Sequence, residues 1–245
     1  MPKFFVPPEA IRGSTVYMGK NNAAHVRALR LRPREEITVS SGGPEEYRCV
    51  YLGVEEGDDV AEIVSQGPCE AEPRTRVVLY TAMPKGDKPE LITQKAVELG
   101  ADRICFFLSS RCISRPDDKA VRKKLERLNR ISEEAAMQSG RGCIPAVHWL
   151  DSFGAMAAEA AKCDLKLFLW EEARETSLRS ALRSAAGARS VALVTGPEGG
   201  FSREEAEMAV RTGLLPVTLG KRILRCETAP LCALSAVMYE TGDLE

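Results

Sequence analysis

The sequence predicts an α/β fold, with a parallel sheet covered by helices, preceded by a small β-rich domain. From residue 76 onward, short apolar runs alternate with segments of helical periodicity, as in parallel strands joined by helices. Residues 1–72 instead hold short β-rich pieces separated by turn sequences such as SSGGPEE and EEGDD. Between the two regions, CEAEPRT at 69–75 has the composition of a linker. We therefore expect two domains, residues 1–72 and residues 73–245.

The first domain contains four short candidate strands, whose close spacing predicts a small β-barrel or sandwich. They are Phe4–Val6, Ile37–Ser40, Tyr47–Leu52 and Val60–Val64. Charge is polarised here: residues 1–34 carry seven Lys or Arg and one Glu, whereas residues 35–72 carry one Arg and eleven Asp or Glu.

The second domain alternates five strands with five helices. Strands are predicted at 76–82, 103–108, 165–170, 190–195 and 214–220, and helices at 88–100, 117–138, 176–186, 202–212 and 228–241. Gly100 stands where the cap that ends the first of these helices belongs. This order predicts a parallel sheet with helices on both faces.

Composition excludes several classes of protein. The net charge is −1, with 34 basic and 35 acidic residues, so the chain is no general polycation. The amino terminus has no signal-peptide core, and apolar runs fall far short of the ~18 residues of a membrane span, so we expect a soluble cytoplasmic protein. The eight cysteines form no C-x-x-C pair, and neither His25 nor His148 has a cysteine at ligand spacing. We expect reduced cysteines, structural or surface histidines and no metal.

One glycine-rich loop, TGPEGGFSREE at 195–205, carries the strongest functional signal. It follows a predicted strand and precedes a helix that Ser202 and Glu205 would cap as a capping box. Loops at the carboxyl ends of parallel strands bind ligands in α/β folds. Phosphate is disfavoured, because Pro197 lacks an amide donor and Glu198 adds a negative charge. A neutral or cationic ligand with hydroxyl groups and a heterocycle suits the loop better.

A second loop, LGKRILRCETAP at 219–230, also follows a predicted strand and precedes a helix. Two such loops close together would form one pocket. The alternative is a pair of tight turns that serve only the path of the chain.

The loops TGPEGGFSREE and LGKRILRCETA closely resemble the two signature loops of the ribosomal RNA small subunit methyltransferase E family. The likeness extends to KGDKPELITQKAVELGADRI (85–104), EEAAMQSGR (133–141), FLWEEA (168–173) and HVRALRLRPREEITVSSGG (25–43). Within the last segment, residues 33–36 read PREE, whereas the family pattern has a glycine–acidic turn.

This resemblance implies both an activity and a fold. Members of the family methylate N3 of a uridine in 16S rRNA with S-adenosylmethionine, without a metal, and act as homodimers. The implied fold is a SPOUT-type parallel sheet with a carboxy-terminal trefoil knot, an exception to the usual absence of knots. The implied first domain is a PUA-like β-barrel that binds RNA. The implied partner is 16S rRNA in the assembled small subunit.

Carried over by motif, the resemblance implies three groups of cofactor-binding residues. They are Leu169 and Glu171; Thr195, Gly196, Pro197, Glu198, Gly199 and Gly200; and Leu219, Gly220, Ile223, Leu224, Arg225 and Ala229.

Two catalytic roles follow from the chemistry of a uracil N3, which must lose its proton. We expect Arg225 to stabilise the developing anion, although a salt bridge to Glu227 or Glu198 would be an equal use of its charge. The candidate bases are Glu171, Glu172 and Glu198. Cys226 is expected to be a pocket wall rather than a nucleophile.

RNA contact requires basic residues, and two regions supply them. The first domain offers Arg12, Arg27, Arg30, Arg32 and Arg34. The stretch 111–130 has eight Lys or Arg against three acids, where RNA docking and a solvated helix face are equally good explanations. Arg141 is expected to face RNA unless residues 138–141 are an ordinary helix end. An RNA-binding assembly factor without catalysis remains the alternative function.

Overall fold

The computed structural model describes residues 1–244, which divide into two compact units. The first unit comprises Met1–Glu72 together with Ala136–Ile144, and the second comprises Pro73–Ala135 and the chain from Pro145 onward. The segment Ala136–Ile144 was expected in the second domain. It belongs instead to the first unit, where Glu72 accepts hydrogen bonds from the amides of Gly142 and Cys143.

The first unit is built on a six-stranded sheet with one long helix. Its elements are β1 (Lys3–Phe5), β2 (Ile11–Arg12), β3 (Thr15–Tyr17), α1 (Gly19–Leu29), β4 (Glu36–Ser40), β5 (Glu45–Glu55) and β6 (Asp58–Pro68). The sheet order is β1-β4-β5-β6-β3-β2, antiparallel except for the parallel pair β1 and β4. The four expected strands are present as β1, β4, β5 and β6, whereas β2, β3 and α1 were not predicted.

The second unit contains a six-stranded sheet that is parallel throughout. Its strands are β7 (Arg76–Ala82), β8 (Arg103–Phe107), β9 (Ala146–Leu150), β10 (Leu165–Leu169), β11 (Ser190–Thr195) and β12 (Leu215–Val217), in the order β12-β10-β11-β7-β8-β9. Its helices are α2 (Lys88–Glu98), α3 (Asp118–Ser139, ending in the first unit's segment), α4 (Phe153–Ala160), α5 (Leu178–Ser184), α6 (Arg203–Arg211) and α7 (Thr228–Glu240). The predicted parallel α/β sheet is confirmed, with β9 and α4 added.

Two local signals in the sequence mark helix boundaries as predicted, one at the end of α2 and one at the start of α6. Gly100 has a φ of +93° directly after the last turn of α2, a conformation that favours glycine. Ser202 and Glu205 form the capping box at the start of α6. The Glu205 carboxylate also accepts a hydrogen bond from the Ser110 amide at 2.7 Å, which fixes the loop after β8 against α6.

An aromatic cluster anchors the glycine-rich loop to the core. Phe201 follows the last glycine of the loop and is buried, and its ring lies 4.5 Å from that of Phe168 and 5.7 Å from that of Phe153, between centroids. Aromatic pairs at such separations stabilise beyond their buried area. The packing of Phe201 therefore fixes the carboxy-terminal end of the glycine-rich loop to the core.

None of the helices within residues 1–244 is both long and apolar enough to cross a membrane. Over the same residues, no group of three or more His, Cys, Asp or Glu side chains is placed to hold a metal ion. All eight cysteines are free thiols, and Cys232 is exposed.

Candidate active site

The carboxyl ends of β10, β11 and β12 open into a cavity of about 1000 Å³. Because these strands are parallel and adjacent, the loops that follow them meet at one edge of the sheet. Every cofactor-binding residue implied by the family motifs lines this cavity. So do residues that the motifs did not indicate, namely Lys88, Trp170, Ala173, Arg174, Val217, Thr218, Lys221 and Arg222.

Backbone hydrogen bonds join the first and third loops of the cavity. The Thr218 amide donates to the Thr176 carbonyl at 3.0 Å, and the Leu178 amide donates to the Thr218 carbonyl at 3.1 Å. The Trp170 amide donates to the Val217 carbonyl at 3.3 Å. These bonds hold the loop after β10 against the loop after β12, so the two loops form one side of the cavity.

Each glycine of the second loop has a steric reason. Gly200 has a φ of +65°, and a Cβ there would contact the Glu171 carboxylate, 2.9 Å from its Cδ. A Cβ on Gly196 would lie 3.2 Å from the Phe201 ring, and one on Gly199 would lie 3.2 Å from the Cβ of Arg111. Close neighbours therefore explain Gly196 and Gly199, whereas the left-handed backbone conformation explains Gly200.

A partly buried cluster of charges includes two residues that line the cavity, Lys88 and Glu198. The Lys88 Nζ is 2.8 Å from Glu198 Oε1, 3.3 Å from Glu227 Oε2 and 3.4 Å from Cys226 Sγ. The Lys85 amide donates to the same Glu198 oxygen at 3.1 Å. One ammonium group thus contacts both motif loops.

This cluster changes what its members can do chemically. Burial by itself would raise the pKa of Glu198, but the hydrogen bond and charge of Lys88 lower that pKa below its usual range. A carboxylate stabilised in this way is a weaker proton acceptor, which favours Glu171 over Glu198 as the base, and the role of Glu198 as a base stays a prediction. Burial and the neighbouring Glu227 raise the pKa of Cys226 to about 11, so its thiol stays protonated, as expected of a wall residue.

Arg225 is exposed at the cavity and forms no ion pair with any described residue. The alternative salt bridge to Glu198 or Glu227 is absent from residues 1–244, because Lys88 takes both carboxylates. Of the candidate bases, Glu171 lines the cavity, and its carboxylate has no ion pair within the described chain. Glu172 does not line the cavity.

The predicted RNA contacts of the first unit are all accessible. Arg12, Arg27, Arg30, Arg32 and Arg34 are exposed. Arg12 lies over the ring of Tyr17, with 5.0 Å from its Cζ to the ring centroid. Along residues 111–130 of the second unit, the side chains of Lys119, Arg122, Lys123 and Arg130 lie on or near the surface.

Arg141 was expected to face RNA, and the structure contradicts this. Arg141 is 4% exposed, and its guanidinium donates to both oxygens of Glu72, at 3.2 and 2.8 Å. The preceding Gly140 has a φ of +77°, as in the helix-end alternative. Because Glu72 pairs with this buried guanidinium, Arg141 is held within the first unit and is not available to RNA.

The cavity suits a ligand with an apolar heterocycle and polar substituents. Leu169, Val217 and Leu224 supply apolar surface beside the backbone of the glycine loop. Trp170 Nε1 and Glu198 Oε2 are buried on its walls and have no hydrogen-bond partner among residues 1–244. Buried polar atoms are rarely left unpaired in folded proteins. The Trp170 N–H is a donor and the Glu198 oxygen is an acceptor, so a nucleoside that offers an acceptor and a donor beside its apolar base would pair with both atoms.

Residues 70–238, which include the parallel sheet and the three-loop cavity, match the RNA methyltransferase domain family, and this match assigns the class of protein. The chain is 35% identical to the ribosomal RNA small subunit methyltransferase E of Bacillus subtilis over 221 residues, 88% of this chain and 86% of that protein. It is 34% identical to the Mycobacterium tuberculosis enzyme of the same name, over 96% and 90% of the two chains. The chain belongs to the ribosomal RNA small subunit methyltransferase E family.

Two similar solved structures contain a ligand. The ribosomal RNA small subunit methyltransferase E of Neisseria gonorrhoeae, bound to S-adenosylmethionine, has a TM-score of 0.84 and 32% identity, over 98% of this chain and 97% of that one. A Legionella pneumophila structure in complex with the bound cofactor SAM has a TM-score of 0.85 and 30% identity, over 97% and 96%. The predicted family and cofactor are those of these relatives.

Proposed function

We propose that the chain transfers a methyl group from S-adenosylmethionine to N3 of a specific uridine in the 16S rRNA of the small ribosomal subunit. The observation that carries the proposal is the convergence of three family motifs on one cavity of about 1000 Å³. The names of the relatives support ribosomal RNA as the substrate, and the ligands of the two similar structures support the cofactor. The family resemblance supports N3 of uridine, and a ribosomal substrate implies action in the cytoplasm.

The three loops would hold the cofactor. When bound, S-adenosylmethionine supplies a methyl group activated by a sulfonium. Leu169, Val217 and Leu224 would flank its adenine, while the amides and carbonyls of residues 196–200 and 219–225 would bond to its polar groups. Glu171 and Glu198 also line the cavity, and their carboxylates are compatible with the positive charge of the sulfonium.

The protein's own part in catalysis is positioning, charge and proton removal. Holding two reactants in line can contribute about 7–11 kcal/mol of barrier reduction. Arg225, at the cavity and always charged, would stabilise the uracil as it loses its N3 proton. Glu171 would receive that proton, since it lines the cavity without a competing cation in the described chain.

Basic side chains in both units would contact the RNA backbone. In the second unit, Arg174, Lys221 and Arg222 are exposed around the cavity, near Arg225. In the first unit, the five exposed arginines from Arg12 to Arg34 would bind phosphates, as expected of a PUA-like barrel formed by residues 1–72. Phosphate contacts position a nucleic acid, whereas the cavity would select the base.

The proposal includes a trefoil knot in the methyltransferase domain, residues 73–245. The order of the elements supports it. The edge strand β12 leads through residues 218–227 to α7, which packs on β7 and β11 near the middle of the sheet. Hydrogen bonds also join Thr218 to the chain at Thr176 and Leu178.

The proposal further includes a homodimer. Ile223, whose side chain is 88% exposed beside the cavity, and Tyr239, 68% exposed on α7, are the apolar surface that a second copy would cover. Light scattering after gel filtration gives the mass in solution. A mass of one chain at micromolar concentration would contradict the dimer.

Calorimetric titration with S-adenosylmethionine, S-adenosylhomocysteine and ATP tests the cofactor proposal. We expect the first two to bind and ATP not to bind. Methylated uridine would then be mapped on small subunits treated with the enzyme, alongside free 16S rRNA. Binding of neither sulfur compound by the folded protein would favour an RNA-binding assembly factor, and a preference for ATP would favour a nucleotide site.

A further inference from the structure

We propose that Lys88 is a positioning residue that ties the glycine-rich loop to the loop after β12 and so preorganises the cavity for its ligand. The inference rests on the proposed function, because it concerns how the same cavity binds the cofactor. Lys88 is the first residue of α2 and lies outside the three motif loops that line the cavity.

The ammonium group of Lys88 contacts both loops. A lysine ammonium has three N–H donors and no acceptor. Lys88 Nζ donates hydrogen bonds to Glu198 Oε1 at 2.8 Å and to Cys226 Sγ at 3.4 Å, and it forms an ion pair with Glu227 Oε2 at 3.3 Å. The two loops therefore share one ammonium group.

All three charged side chains of this cluster are largely shielded from water. The side chains of Lys88, Glu198 and Glu227 are 21%, 18% and 20% exposed. Ion pairs shielded from water to this degree are screened less by salt than surface pairs. When one partner is removed, the cost of burying the remaining charge is no longer offset. Without the ammonium, two carboxylates would face each other across the two loops and repel.

Lys88 also connects the two loops to a helix. Glu198 belongs to the loop after β11 and Glu227 to the loop after β12, while Lys88 begins a helix that packs against α7. Within residues 1–244, no ion pair other than those of Lys88 joins these two loops. A single side chain thus fixes both loops to a rigid helix, which lowers the entropy cost when a ligand orders them.

The test compares Lys88→Met with Lys95→Met in the full chain. Lys95 lies two turns along the same helix and forms a local pair with Glu98 at 2.8 Å. Lys88→Met should weaken S-adenosylmethionine binding about tenfold, between the effects of surface and buried pairs, whereas Lys95→Met should leave it unchanged. Lys88→Arg should recover part of the affinity, because charge is restored with different geometry.

A double-mutant cycle separates positioning from general destabilisation. Glu227→Gln should weaken binding by itself, and adding it to Lys88→Met should cost less than the sum of the two changes, because both remove the same contact. Additive effects would overturn the proposal. If Lys88→Met fails to fold, the Glu227→Gln variant tests the same ion pair from its other partner.

Hydrogen exchange of the ligand-free protein gives a readout that does not depend on the cofactor. Lys88→Met should speed exchange in residues 195–200 and 219–227 but not in α5. Unchanged exchange in both loops would overturn the positioning role even if the wild type binds the cofactor. Failure of the wild type to bind S-adenosylmethionine would instead overturn the proposed function, while faster exchange in the variant would still support positioning by Lys88.

Discussion

Replacing Gly200 by alanine tests whether the bare loop exists to present backbone to a ligand. Gly200 has a φ of +65°, a region where a Cβ collides with the following carbonyl. A Cβ at this position would also contact the carboxylate of Glu171, which belongs to the loop after β10.

The magnitude follows from these two effects. Holding alanine in the left-handed region costs about 1–2 kcal/mol. The Glu171 side chain is exposed and can move away, so the contact changes the free energy of unfolding little. The movement does displace a side chain that lines the cavity. If the loop relaxes to avoid the strain, about 1–2 kcal/mol corresponds to a binding-competent population lowered about 5–30-fold.

The assay pairs urea unfolding with calorimetric titration of S-adenosylmethionine. The matched control is Gly213→Ala, because Gly213 has a φ of +82°, does not line the cavity and has open space where its Cβ would lie. Both variants should be destabilised by about 1–2 kcal/mol, but only Gly200→Ala should bind the cofactor about 5–30-fold more weakly. Wild-type affinity in Gly200→Ala would refute the role of the loop.

Three further changes give distinct outcomes. Arg225→Ala should lower the methylation rate about 10²–10³-fold with little change in cofactor affinity, because it removes charge from the transition state only. Reversing Arg30 and Arg32 to glutamate should weaken RNA binding and reduce its salt slope by about one for each phosphate that the protein no longer neutralises. Glu72→Gln should destabilise the protein by about 2 kcal/mol at neutral pH, since it breaks the largely buried pair with Arg141. Burial alone would raise the pKa of Glu72, but Arg141 and the amides of residues 142 and 143 lower that pKa in the folded protein. The stabilisation by the Glu72–Arg141 pair is therefore fully present above the unfolded pKa of about 4.3, and it is lost as pH falls through the lower folded pKa.

Exposed pairs elsewhere supply the controls. Arg211→Ala should leave turnover unchanged, and charge reversal of Arg203 and Arg211 on α6 should leave the salt slope of RNA binding unchanged. Glu90→Gln, which breaks the exposed pair with Arg127, should cost less than about 0.5 kcal/mol at every pH. Normal turnover in Arg225→Ala, an unaltered salt slope after reversal, or a pH-independent destabilisation in Glu72→Gln would each contradict the corresponding assignment.

The cavity walls could be predicted because their signals are local. A strand, a glycine-rich turn and a capped helix follow one another in the sequence, and adjacent parallel strands bring the loops after them to one edge of the sheet. The glycines at 196, 199 and 200 were recognised, but their reasons were not. Phe201, Arg111 and Glu171 occupy the space around them, and only the folded chain shows that arrangement.

Side chains that meet across long sequence separations were missed or misjudged. Lys88 lies 110 residues from Glu198, and no sequence pattern joins them. Arg141 looked like an exposed helix-end cation, but the carboxylate that pairs with it is Glu72, 69 residues earlier.

The helix α1 was missed because its amino end has no capping side chain, and Asn22 stabilises it by donating to the carbonyls of Phe5 and Met18.

The sequence by itself determined the parallel α/β class, the succession of strands and helices from residue 76, the glycine-rich loop and the family. These depend on periodicity, turn chemistry and caps, which act over a few residues. Tertiary structure decided which charges pair within the described chain and that residues 136–144 belong with the first unit. Electrostatic roles depend on distances and burial, and folding sets both between residues that are remote in the chain.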